Sequence, residues 1–326
     1  MRRLWRRHRG LAILSYVVLA LLLLVFVLPY LIPLGKDHAE IPLEDLIGEN
    51  GRFLDIDGVR IYIEELAPES SQETVVFLHG FGCSTFSWRH NVSFFASQGY
   101  RVISLDMKGF GLSHKDFDSD YSHPSQAELV ADVLVRLNIE QAYVVGHSMG
   151  SSVMLHFAHL YPEKVMGLVS VAGALNLHEG SVRPGVLLSF PPLRRAGEVF
   201  LTRYITKERV SAILESAYHE DTIAGEALDD YYNRIVSGQW SQSLLAMTRD
   251  MHKNTIAFAL EDIAFPTIIF WGENDTWVKR TDIDEWKDKI PSAEFRAIPE
   301  AGHLLMEEKP ELFNNLVLAF LQSSRE

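Results

Sequence analysis

Hydrophobic positions along this chain fall into three regimes. Residues 10–35, "GLAILSYVVLALLLLVFVLPYLIPLG", form one apolar run without a charged side chain. From Arg52 onward the apolar stretches shorten. "RFLDI" and "VRIYIEEL" alternate around Asp57-Gly58, a dipeptide suited to a tight reversal, and predict a hairpin. "TVVFLHG", "RVISLD", "AYVVGHS" and "VMGLVSVAG" are unbroken, β-branched runs of the kind covered on both faces. Segments of helical length separate them, at 84–98, 125–137 and 149–160. Residues 174–264 lean towards helix, carry many charges and contain no convincing strand. After them come "FPTIIFWGEND", "AEFRAIPEAG" and a last helix with Pro310 near its start, where a missing N–H costs little. Alternating strand and helix predict an α/β fold around a mostly parallel sheet. The expected organisation is a basic flank at 1–9, a membrane anchor at 10–34, a linker at 35–50 and a domain at 51–326. Within that domain a helical cap occupies about 174–264, roughly the size needed to cover a pocket.

The anchor follows from length. Nineteen residues precede Pro29 in the run, and at about 1.5 Å each a helix of them spans close to the roughly 30 Å hydrocarbon core. A cleavable signal peptide has a shorter apolar core and a small-x-small site, which "PYLIPLG" does not supply. A buried core helix would show an amphipathic face, and this run shows none. Arg2, Arg3, Arg6, Arg7 and Arg9 precede the run, so the N-terminus is expected in the cytoplasm and the domain outside it, as a single-pass membrane protein. The formal net charge is −13; with those five arginines set aside, the remaining chain carries −18. Such a body repels nucleic acid, which excludes nucleic-acid binding as a function class. The single cysteine, Cys83, rules out an intramolecular disulfide and leaves the redox compartment open. Oligomeric state is not legible.

Candidate chemistry centres on "VVGHSMG". A serine hydroxyl near neutral pH needs a base beside it and a backbone that exposes its oxygen. Gly146 and Gly150 flank Ser148 at two residues on either side, after a strand and before "SSVMLHFAHL", which is the context of a strand-to-helix nucleophile turn. The expected chain order is serine, acid, histidine. Only His303 of the thirteen histidines lies beyond the strand "TIIFWGEND", in the loop "PEAGHLLMEEKP". Asp275 directly follows that strand and is the favoured acid; Glu273 competes, while Asp282 and Asp284 read as helix surface. Acyl transfer also needs donors for the oxyanion. The N–H groups of Met149 and of Phe81, in "HGFG", are the candidates. His79 reads as structural and Cys83 as a pocket wall. No H-E-x-x-H, no Cys/His cluster and no complete G-x-G-x-x-G is present, so neither a metal nor a cofactor is expected.

With "LHGFG", "LDMKGFGLS", "VVGHSMG", "WGEND" and "AGH" in this order, the chain from roughly Arg52 to its C-terminus resembles the α/β-hydrolase fold enzymes. It is similar to the capped branch, which includes lipases, esterases and ring-cleavage carbon-carbon hydrolases and carries its lid between the sixth and seventh strands. The resemblance implies Ser148 as nucleophile, Asp275 as orienter and His303 as base, with Phe81 and Met149 forming the oxyanion hole. Dehalogenases and epoxide hydrolases of this fold use aspartate as nucleophile, so Ser148 argues against both. Lys108 departs from the family's usual Pro or Arg in a structural loop. The anchor is similar to that of membrane-bound monoacylglycerol-lipase-like members, a likeness of address rather than of substrate contact.

The expected activity is therefore a membrane-anchored serine hydrolase cleaving a carboxylic ester, lipid-like or otherwise apolar, with rates that rise as His303 loses its proton. One alternative keeps the site and cleaves a carbon-carbon bond in a dienone-type acid, for which Arg89 or Arg183 could hold the carboxylate. The other is a non-catalytic ligand-binding or interaction module.

Overall fold

The structure, a computed structural model, describes residues 2–34, 41–69, 71, 73–173, 175, 185–220, 223 and 225–325, with side chains from residue 12 onward except at 186. Eight strands form one sheet: β1 (Gly51–Ile56), β2 (Val59–Leu66), β3 (Thr74–Leu78), β4 (Arg101–Leu105), β5 (Ala142–His147), β6 (Val165–Val171), β7 (Thr267–Gly272) and β8 (Glu294–Ile298). Their order is β1-β2-β4-β3-β5-β6-β7-β8. The β1–β2 hairpin is antiparallel and β2 joins β4 antiparallel; every later pairing is parallel. Its turn is the expected one, since Asp57 and Gly58 both take positive φ, and the Gly58 N–H donates to Asp55 Oδ1 at 2.8 Å.

The helices are α1 (Arg2–Phe26), α2 (Leu28–Leu31), α3 (Val92–Ser97), α4 (His123–Arg136), α5 (Met149–Leu160), α6 (Gly185–Leu188), α7 (Pro191–Tyr204), α8 (Lys207–Ala217), α9 (Gly225–Ile235), α10 (Trp240–Asp250), α11 (Arg280–Lys289), α12 (Leu305–Glu308) and α13 (Pro310–Ser323). Strand β3 is buried on both faces, and its residues alternate between two cores. Val76 and Leu78 pack with α4 and α5 through Val130, Leu134 and Val153; Val75 and Phe77 pack with Phe95, Phe313 and Val317 on the other side. Burying both faces is what an unbroken Val/Ile/Leu run requires.

Where a single helix was expected at 84–98, the chain forms a 3-10 turn, Thr85–Trp88, and then the short α3. Ser84 Oγ caps the turn by accepting from the Phe86 N–H at 3.3 Å. The chain then breaks because Asn91 is recruited elsewhere: its side chain donates to Asn314 Oδ1 at 2.8 Å and to the Met306 carbonyl at 3.2 Å. Tertiary hydrogen bonds outweigh the helical periodicity there.

Between β6 and β7 lie α6 to α10, with no strand among the described residues of that segment. The cap reaches back to the N-terminal region. Phe26 packs edge-on against Phe190, the Arg195 guanidinium donates to the Pro29 and Ile32 carbonyls at 3.2 and 3.1 Å, and Arg203 donates to the Pro33 carbonyl at 3.0 Å. Part of the expected linker is packed as well: Leu46 is buried against Tyr62 and Leu112, and its carbonyl accepts from Arg234 at 2.6 Å. Residues 35–40 lie outside the described residues.

The expected membrane-crossing helix is not matched: among the described residues no helix is long and apolar enough to cross a membrane. Helix α1 ends at Phe26, and the chain turns at Val27 before Pro29. Its side chains are nevertheless strongly exposed, Ile13, Leu14, Leu21 and Leu24 among them.

Candidate active site

Ser148 stands between β5 and α5, at the carboxyl edge of the sheet, with φ 50 and ψ −114. A non-glycine residue in this region costs of order 1–3 kcal/mol and persists only when its surroundings enforce it. Here they do. A Cβ on Gly146 would come within 2.6 Å of the Gly150 carbonyl carbon, and one on Gly150 within 2.8 Å of the His79 carbonyl oxygen. The two glycines thus let strand, turn and helix pack closer than any other residue permits, and Ser148 is pushed out as the half-exposed apex.

Asp275 follows β7 and His303 follows β8, so the parallel strands deliver both side chains to the same edge. His303 Nδ1 lies 2.8 Å from Asp275 Oδ2, with both side chains almost fully buried. A carboxylate only accepts, so the neutral ring carries its proton on Nδ1 and leaves Nε2 with a lone pair. The other oxygen, Oδ1, accepts from the N–H groups of Trp277 and Val278 at 2.7 and 2.9 Å, which fixes the carboxylate's orientation. The rival acid Glu273 is exposed, and Asp282 is occupied in capping α11 through the Lys279 N–H.

The Phe81 loop comes close to this turn: a Cβ on Gly80 would sit 3.2 Å from Ser148 Cβ. Met149 opens α5, and the first N–H groups of a helix lack partners within it. Two candidate donors therefore flank Ser148, one of them at the positive end of a helix. His79, fully buried, is tied into the turn. Its Nδ1 donates to the Gly80 carbonyl at 2.7 Å and its Nε2 accepts from the Met107 N–H at 3.0 Å, which fixes it as neutral; burial lowers its pKa.

Ser148 and His303 share the wall of a cavity of about 220 Å³. The sheet side contributes Phe81, Cys83, Phe110 and Leu304; the cap contributes Val210, Leu214, Trp240 and Met247. No Asp, Glu, Lys or Arg is among the described residues lining it. Burial, with Glu307 nearby, pushes the Cys83 thiol up to about 12, which leaves it protonated and unreactive as a wall. Arg89 is not in the wall: its guanidinium is held 2.6 Å from the buried Glu307 carboxylate. Arg183 lies outside the described residues.

Two contributors escaped sequence reasoning. Trp277 stacks on the His303 ring, centroids 5.0 Å apart. His147 donates from Nε2 to the His303 carbonyl at 3.0 Å, and burial with the neighbouring His303 depresses its pKa well below the usual imidazole range. A tryptophan two residues after the acid was visible as a residue, but nothing local told which ring it would cover.

Comparison with known proteins agrees with this arrangement of strands and turns. The sequence model of the alpha/beta hydrolase fold family matches residues 73–310. An uncharacterized hydrolase of Bacillus subtilis, YugF, is 29% identical over 277 residues, covering 83% of this chain and 97% of the relative. A 2-hydroxy-6-oxononadienedioate/2-hydroxy-6-oxononatrienedioate hydrolase of Paraburkholderia phymatum is 30% identical over 264 residues, covering 77% and 88%. Among solved structures, a bacterial membrane phospholipase A superposes with a TM-score of 0.68 at 22% identity, covering 98% of this chain and 99% of that one, which bears on the fold alone. The chain belongs to the alpha/beta hydrolase fold family.

Proposed function

We propose that this protein is a serine hydrolase that cleaves an uncharged carboxylic ester with an apolar acyl group, using Ser148, His303 and Asp275. The observation that carries the reading is the cavity: Ser148 and His303 open into a space whose described walls are mostly apolar and include no Asp, Glu, Lys or Arg. A long hydrocarbon group gains about 0.8 kcal/mol per buried CH₂ in such a space, whereas a carboxylate would enter it without a counter-charge. In the proposed reaction His303 Nε2 takes the hydroxyl proton as Ser148 Oγ attacks the ester carbonyl. The N–H groups of Phe81 and Met149 receive the oxyanion, and Asp275 stabilises the imidazolium. His303 then protonates the departing alcohol. Water, deprotonated by the same ring, cleaves the acyl-enzyme and releases the acid.

The named relative from Paraburkholderia keeps a second reading in view, hydrolysis of a carbon-carbon bond in a dienone-type acid. A dioate carries two negative charges, and of the two arginines weighed for its carboxylates Arg89 is already paired with Glu307, while Arg183 lies outside the described residues. That pairing ranks the ester reading first. We further infer that the uncharged run at 10–35, of which α1 forms only a part, tethers the domain to a membrane, with the N-terminus cytoplasmic. The uncharged run at 10–35 and the exposed apolar side chains of α1 support it.

The test is turnover of p-nitrophenyl esters of increasing acyl length by the full chain in detergent, beside Ser148→Ala. Turnover that peaks at a medium or long acyl chain and vanishes in the alanine variant is expected. No turnover of any ester, with release of acid from a dienone substrate, would move the reading to the carbon-carbon hydrolase; no reaction of Ser148 with an organophosphorus probe would leave a binding module.

A further inference from the structure

The end of α8 is fastened to both loops that carry the proposed acid and base. The last carbonyls of a helix lack partners within it; here the catalytic edge supplies them. The Ala217 carbonyl accepts from the His303 N–H at 2.7 Å, and the Ser216 carbonyl accepts from Thr276 Oγ1 at 3.1 Å. Ser216 Oγ accepts from Trp277 Nε1 at 3.2 Å, and Trp277 is the ring stacked on His303. Just beyond the helix, one carboxylate bridges cap and loop: Glu308 Oε2 accepts from the His219 N–H and Oε1 from the Gly302 N–H, both at 2.8 Å. Glu307 beside it is buried and accepts from Tyr218, at 2.6 Å, and from Tyr231, while paired with Arg89. The His303 backbone is thus gripped at both ends, its N–H by the cap and its carbonyl by His147.

We propose that the cap segment 216–219 is a positioning element for the base, with Glu308 as its fastening residue. The proposal rests on the serine-hydrolase reading of the same site and adds that the cap, beyond covering the pocket, sets the place of the imidazole. A lid that lifted at this edge would withdraw the partner of the His303 N–H, so the closed cap is the active form here. Glu308 touches no reacting atom; it acts through Gly302 and His219. Glutamine at this position can serve only one of the two amides, because its NH₂ faces the other as a second donor.

The experiment measures the second-order rate of Ser148 labelling by a fluorophosphonate across pH 5–9, together with the melting temperature, for the full chain and for Glu308→Gln, Glu308→Ala and Ser216→Ala. Labelling needs an activated serine and does not depend on which ester is the substrate. Expected are about a tenfold slower labelling in Glu308→Gln and a larger loss in Glu308→Ala, at saturating folded fraction, with KM for a p-nitrophenyl ester little changed and kcat reduced in step. Ser216→Ala, on the exposed end of α8, should fold whatever happens to the others and label about two- to threefold slower. Wild-type labelling rates in Ser216→Ala and in folded Glu308→Gln would overturn the positioning role while leaving the serine-hydrolase reading intact. Absence of labelling in the wild type would overturn both.

Discussion

Asp275 accepts one hydrogen bond from His303 and two from backbone amides, so its proposed role is orientation as much as charge. Asp275→Asn keeps the shape but offers an amide N–H₂ on one side, which forces either Nδ1 into the acceptor tautomer or the loss of a backbone contact. A fall in kcat of about 10³–10⁴-fold with little change in melting temperature is expected, read by ester turnover and thermal unfolding. A variant with more than a tenth of wild-type turnover would remove Asp275 from the proposed triad. The spacing of Gly146, Ser148 and Gly150 was legible in the sequence because a nucleophile turn is a local device, built from contacts within a few residues. The stack of Trp277 and the bond from His147 to the His303 carbonyl were not, since their partners lie far along the chain and meet only through strand order.

At the scale of elements, the loop after β4 meets the cap at a buried lysine. Lys115 Nζ donates to Ser237 Oγ at 2.7 Å and to the Gly111 carbonyl. Burial lowers its pKa to about 7, opposed by the attraction of Asp106. Between about pH 7 and the ordinary lysine value of about 10.5, the unfolded chain binds a proton that the folded chain does not. Stability contributed by this group therefore rises with pH across that window and is flat below it, where both states are protonated. The melting temperature is expected to climb from pH 7 to 9.5 in the wild type and to climb less in Lys115→Met; equal slopes would show that another group governs the range. The strands and the hairpin were readable because unbroken β-branched runs and an Asp-Gly turn have one good solution each. The helix expected at 84–98 was not, because its break is imposed by Asn91 reaching Asn314 across the fold.

For the whole molecule, the anchor proposal predicts that the full chain sediments with membranes and needs detergent for release, whereas a chain beginning at residue 41 stays in solution. External protease on intact cells should then degrade the domain; a full chain found in the soluble fraction would sink the proposal. The tertiary structure adds that the N-terminal region is not a free tether, since Arg195 and Arg203 bind its carbonyls to α7. What the sequence by itself determined is the set of local devices: the uncharged run, the alternation of strand and helix, the serine turn, and the order of acid and histidine behind it. Each depends on neighbours a few residues away, where spacing and side-chain type carry the information. Only the tertiary structure decided that the described cavity wall includes no Asp, Glu, Lys or Arg, that Arg89 is committed to Glu307, and that the cap grips His303. Those outcomes depend on which distant groups fill the same space and satisfy one another's hydrogen bonds, and periodicity holds no record of that.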